Sequence, residues 1–132
     1  MEQKEIESLI QEAYKAVKYT YSPYSHFGVG AALLTNDGKI YHGANIENAS
    51  YGATICAERT AVVKAVSSGH KNFKAIAIVT NDHKSIPYPC GMCRQVLSEF
   101  APDILVIVAT SETEYKAVKL SELLPYPFEL KK

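Results

Sequence analysis

The chain has 132 residues, 47% of them apolar and 21% charged, which fits one globular domain over residues 1–132 with a sizeable core. Fourteen basic residues balance fourteen acidic ones, and no run of Lys and Arg stands out. That argues against binding a nucleic acid backbone, which needs clustered positive charge, while a net charge near zero permits self-association. The N-terminus Met1–Glu5 is polar with no apolar region behind it, and no apolar run is long enough to cross a bilayer, so neither signal peptide nor membrane anchor is expected. Three cysteines, an odd number without disulfide-framework spacing, point to a reducing compartment, the cytoplasm.

Ile6, Leu9, Ile10, Ala13, Tyr14 and Val17 fall at helical spacing and predict an amphipathic helix over residues 3–18. Tyr19–His26 breaks the pattern with a proline, and its three tyrosines suit it to lining a pocket. Phe27–Thr35 reads as a buried strand, in which glycine marks close approach by another backbone or a ligand. Gly28-Val29-Gly30 is no dinucleotide fingerprint, because the third glycine and the following helix are missing. Asn36-Asp37-Gly38 turns the chain into a returning strand, Lys39–Ala44. After a polar loop to Gly52, a second helix is expected from Cys56 to Ser68, capped near Thr54 or Ile55 and stopped by Gly69.

Phe73–Thr80 follows as a third strand, Asn81–Pro89 as a loop with two prolines, and Gly91–Phe100 as a third helix. Ile104–Ala109 is apolar throughout, as in strands buried on both faces, and Glu114–Leu120 is the fifth strand. The four residues between them are too few for a crossover helix, so the two should pair antiparallel. Ser121–Leu124 is a helical turn, and the tail keeps Tyr126, Phe128 and Leu130, which should pack on their own or another subunit. The order predicts an α/β fold: three layers, α/β/α, around a mixed five-stranded sheet.

All three cysteines lie in two short stretches, Thr54–Arg59 and Pro89–Gln95. Cys56, Cys90 and Cys93 can give three thiolates to one Zn2+ ion per chain and leave a fourth position open, as catalytic rather than structural zinc sites do. Both stretches begin helices, whose positive ends offset the thiolate charge, and Arg59 is placed to add a cation by hydrogen bonding to the sulfurs. Glu58, between a ligand and that arginine, suits a proton carrier for a water at the open position. Two plainer readings compete. Cys90-Gly-Met-Cys93 alone would also fit a redox dithiol, but a third cysteine accompanied by Glu58 favours metal. A structural zinc needs a fourth ligand, and His26, His42, His70 and His83 show no ligand-like spacing.

Cys56-Ala57-Glu58 followed by Pro89-Cys90-Gly91-Met92-Cys93 resembles the signature of zinc nucleoside and nucleobase deaminases with three cysteine ligands. With Phe27–Leu33 and Asn45–Tyr51 added, nearly the whole chain resembles the small homotetrameric cytidine deaminases. The resemblance implies hydrolytic deamination of cytidine and deoxycytidine at C4, with Glu58 moving protons. It further implies that Asn45 and Glu47 bind the ribose, that Phe27 packs on the pyrimidine, and that the Ala57 backbone contacts the base. Ala49, Tyr51 and Phe128 would reach a neighbouring subunit's site in a homotetramer. Gly28 departs from the family, which often has proline there. A blasticidin-type deaminase shares the cysteine motifs, and the Asn45–Tyr51 loop, in its nucleoside-binding form, separates the two. Polynucleotide-editing deaminases are disfavoured by the lack of a basic run.

Overall fold

Small residues decide how closely the helices lie on the sheet. The computed structural model describes residues 1–132 and contains α1 (Gln3–Val17), β1 (Val29–Thr35), β2 (Ile40–Ala44), α2 (Ala57–Ser67) and β3 (Phe73–Thr80). It continues through α3 (Gly91–Phe100), β4 (Leu105–Ala109), β5 (Tyr115–Lys119) and a single-turn α4 (Leu120–Leu123). The sheet order is β2-β1-β3-β4-β5. Only β3 and β4 run parallel, joined through α3, and β4 and β5 pair antiparallel as the short connection requires.

The period-two alternation of β3 sorts its side chains between two cores. Ala75, Ala77 and Val79 face α1, where Ile6, Leu9, Ile10 and Ala13 are buried; Ile76 and Ile78 face α2 and α3. Each large side chain buried in this way contributes about 1.5–3 kcal/mol. The helices therefore cover both faces and give three layers.

Two glycines permit backbone contact where even alanine is too large. A Cβ on Gly30 would lie 2.3 Å from the Ala13 carbonyl oxygen of α1. A Cβ on Gly43 would lie 2.2 Å from the Ala57 carbonyl oxygen at the start of α2. The close approach expected of a strand glycine is thus made by helix backbone at Gly30.

Several boundaries differ from the sequence expectation. The first strand starts at Val29 rather than Phe27, because the Asn45 side chain takes both the Phe27 carbonyl and the Val29 N–H. The cap of α2 is Cys56 itself, extended at φ −72° and ψ 156°, not Thr54 or Ile55. Gly69, at φ +94°, stops that helix as expected. The last strand ends at Lys119, since Leu120 is already helical and fully buried.

The pairing also locates the site. Val29 lies opposite Thr80, and Gly30 lies opposite both Ala44 and Val79. The start of β1 and the ends of β2 and β3 therefore share one end of the sheet, where the loops 18–28, 45–56 and 81–90 emerge together.

Candidate active site

Cys56 and Cys90 occupy the same position on different helices: each is the N-cap, of α2 and of α3. Cys93 follows in the first turn of α3 and is buried. The three sulfurs lie within 4.8 Å of one another, and Cys56 Sγ is 3.8 Å from Cys90 Sγ. Tetrahedral ligands with Zn–S bonds of about 2.3 Å sit about 3.8 Å apart, so the set has the size zinc requires. No disulfide links them.

The electrostatics agree with a metal. Arg59 Nη2 donates to Cys56 Sγ at 3.4 Å, and Arg59 Nε is buried without a partner among protein atoms. The Cys56 thiol is held down to about 5, first by its hydrogen bond with Cys93, then by Arg59 and Cys90. Cys93 moves up, by the same bond with Cys56 and by burial. A dication binds thiolates and displaces their protons, and the Arg59 guanidinium beside Cys56 favours the thiolate form. The donor set fits Zn2+.

Glu58, only 5% exposed, stands in the first turn of α2. Burial, with a smaller push from the Cys56 thiolate, raises its carboxyl to about 7. A carboxyl near neutrality can both accept and release a proton at working pH.

Beside the sulfurs opens a cleft of about 290 Å³. Phe27, Asn45, Glu47, Cys56, Ala57, Glu58 and Cys90 all line it, so the fold brings together residues from four separate motifs. The sugar-binding candidates are less free than their types suggest. Asn45 Oδ1 accepts from Val29 N at 2.9 Å and from the Thr20 hydroxyl, while Nδ2 donates to Phe27 O at 2.8 Å. One amide N–H is left for a ligand. Glu47 accepts from Tyr24 N, Ser25 N and the Ser25 hydroxyl; the last, above all, keeps its carboxyl below the usual range.

Three members of the predicted substrate-binding set do not join this cleft. Ala49, Tyr51 and Phe128 are exposed and line no part of it. Tyr51 meets Tyr24 edge-on at 6.2 Å, and the Phe128 backbone is held by Gln95 Nε2 at 3.0 Å. Nor do the tyrosines of the 19–26 loop line the cysteine cleft; Ser25 is the member of that loop that does.

Sequence reasoning missed Pro87, Tyr88 and Arg94. The first two wall the cleft, and an aromatic between two prolines just ahead of Cys90 was the available signal. Arg94 donates to Pro89 O at 2.6 Å and Leu123 O at 2.7 Å, tying the segment before Cys90 to α4. Nothing in its sequence position foretells the second bond.

Residues 3–109 match the family described as the cytidine and deoxycytidylate deaminase zinc-binding region. The chain belongs to that family. A cytidine deaminase from Halalkalibacterium halodurans is 50% identical over 121 residues, 91% of each chain. The crystal structure of cytidine deaminase from Burkholderia pseudomallei superposes with a TM-score of 0.86 at 44% identity, covering 92% of this chain and 97% of that one. A blasticidin-S deaminase from Bacillus cereus is also similar, 34% identical over 91% of this chain and 89% of its own. Within this family of zinc deaminases, the cysteine cluster at the two helix starts is able to hold the metal ion, and the enzyme class is a cytidine deaminase hydrolase.

Proposed function

We propose that this protein hydrolyses cytidine and deoxycytidine to uridine and deoxyuridine, releasing ammonia, and so serves pyrimidine salvage. The observation that carries the reading is the buried Glu58 carboxylate beside three clustered sulfurs, on the wall of a cleft that also holds Phe27, Asn45 and Glu47. When bound by Cys56, Cys90 and Cys93, zinc supplies the Lewis acid that makes a water nucleophilic near neutral pH. Glu58 would carry one proton of that water to N3 of the pyrimidine, and the second, released as the C4 hydroxyl becomes a carbonyl, to the departing amine. Burial serves both halves of the task, since a carboxyl near 7 is neither too weak a base nor too weak an acid.

Phe27 packs on the base, and the Ala57 backbone contacts it. The last free N–H of Asn45 and the remaining lone pair of Glu47 meet the sugar hydroxyls. Arg59 offsets the charge of the thiolates. Exposure of Ala49, Tyr51 and Phe128 supports a homotetramer in which these side chains complete a neighbour's site. Free thiols arranged as metal ligands support a cytoplasmic setting. Residues 1–132 act as one deaminase domain.

Steady-state kinetics on cytidine provide the test. Glu58→Gln is expected to keep one zinc per chain and lose about a thousandfold in kcat. Full activity in that variant would remove Glu58 from the chemistry, and an inactive wild type with its zinc in place would sink the reading. Similarity to a blasticidin-S deaminase makes blasticidin S the competing substrate to assay in parallel.

A further inference from the structure

The Ser25 hydroxyl joins two residues that line the cleft, Glu47 and Phe27. Its oxygen accepts the Phe27 N–H at 3.0 Å, and its proton goes to Glu47 Oε2. The backbone N–H groups of Tyr24 and Ser25 donate to the other carboxylate oxygen at 2.9 and 3.1 Å. A hydroxyl has a single proton, so with Glu47 taking it and Phe27 supplying the incoming bond, the group has one arrangement.

The backbone is bent to make this possible. His26, between Ser25 and Phe27, sits at φ +57°, in the left-handed region that few residues with a side chain adopt. Its N–H donates to Ser22 O at 2.9 Å, and its carbonyl accepts from Asn81 Nδ2 at 3.3 Å. The bend returns Phe27 N to Ser25 Oγ. Glu47, on a loop and only half-buried, is thereby clamped with one acceptor position left on Oε2.

We propose that Ser25 is a positioning residue for sugar recognition: its hydroxyl holds the Glu47 carboxylate in the one orientation that accepts from a ribose hydroxyl, in register with Phe27. The proposal rests on the reading of Glu47 as a sugar contact. Ser25 acts through Glu47 and takes no part in moving protons.

The test combines Ser25→Ala, Glu47→Ala and their double variant in the zinc-loaded enzyme, with Ser25→Thr as the conservative control. Ser25→Ala should raise KM for cytidine and Kd for uridine about tenfold, the scale of one charge-assisted hydrogen bond, and leave kcat within about twofold. Ser25→Thr should restore most of the loss, and Ser25→Ala should add less than about twofold in the Glu47→Ala background. If Glu47→Ala weakens binding and Ser25→Ala does not, the proposal fails while the reading of Glu47 stands. If Glu47→Ala leaves KM and Kd unchanged, both fail. An equal loss from Ser25→Ala in the Glu47→Ala background, or a fall in kcat and Tm with KM unchanged, also overturns it. Should the alanine variant not fold, Ser25→Cys, near in size and a weak donor, carries the same expectations.

Discussion

Asp82 shows how one side chain can shape a loop that matters to a site it does not touch. Its Oδ1 accepts from Thr80 Oγ1, Lys84 N and Ser85 N at 2.8, 2.9 and 3.1 Å, and its Oδ2 from Ser85 Oγ at 2.8 Å. Those bonds, the two backbone ones first, hold the carboxyl far below its ordinary 3.8. The loop they brace runs on to Pro87 and Tyr88 in the cleft wall and to Cys90. A carboxyl whose folded pKa is depressed contributes stability that is present above 3.8 and is lost as pH falls through the folded value. Asp82→Asn should therefore lower Tm near neutral pH, and the gap from wild type should narrow between about pH 4 and about pH 2. Thermal unfolding at matched zinc content checks this, and a gap independent of pH would mean that the carboxylate charge is irrelevant.

At the scale of elements, the site depends on how α2 is seated. The first turn of α2 carries Glu58 and Arg59 behind the Cys56 cap, and its Ala57 carbonyl rests where a side chain at position 43 would be. Position 43 also approaches Ala61 N, 2.6 Å from an added Cβ, so backbone rather than a flexible side chain would have to move. Gly43→Ala is expected to cost about 3 kcal/mol in denaturant unfolding. Because the shift falls on the turn that carries the metal and proton groups, zinc affinity should fall as well, read by competition with a chelating dye. Loss of stability with unchanged zinc affinity would show that Cys56 is held independently of the α2–β2 contact. Ser67, by contrast, is at the far end of the same helix and its hydroxyl donates to Val63 O at 2.6 Å, so substitutions there should leave the metal alone.

For the whole molecule, the tail is the informative part. Tyr126, Phe128 and Leu130 are 99%, 70% and 77% exposed, three large apolar side chains within one short segment. In the proposed tetramer these side chains find partners on a neighbouring copy. Phe128→Ala should lower kcat/KM about tenfold with Tm shifted by no more than about 2 °C, because the bond that holds this residue in its own chain uses backbone. Sedimentation of the wild type should give four copies; a monomer with full activity would show that the site is complete within one chain.

Much of this protein was legible as sequence because its signals are local. Helical spacing set α1, the Asn36-Asp37-Gly38 turn set the first hairpin, and four residues between the last strands dictated their antiparallel pairing. The cysteines and Glu58 were legible for the same reason: spacing of two or three residues at a helix start is short-range information. What the sequence left open were bonds between distant segments. Phe27 was placed in a strand because its neighbours are apolar, yet Asn45, 18 residues on, takes its carbonyl. Asn45 and Glu47 could be recognised as polar groups suited to a sugar, but which of their lone pairs and protons remain free depends on Thr20, Tyr24, Ser25 and Val29. Short-range spacing at two helix starts therefore singled out the cysteines and Glu58 as candidates, and the resemblance to a family implied the sugar contacts. Only tertiary structure decided how each is oriented, because hydrogen bonds across 16 to 25 residues are formed by the fold and leave no periodic trace.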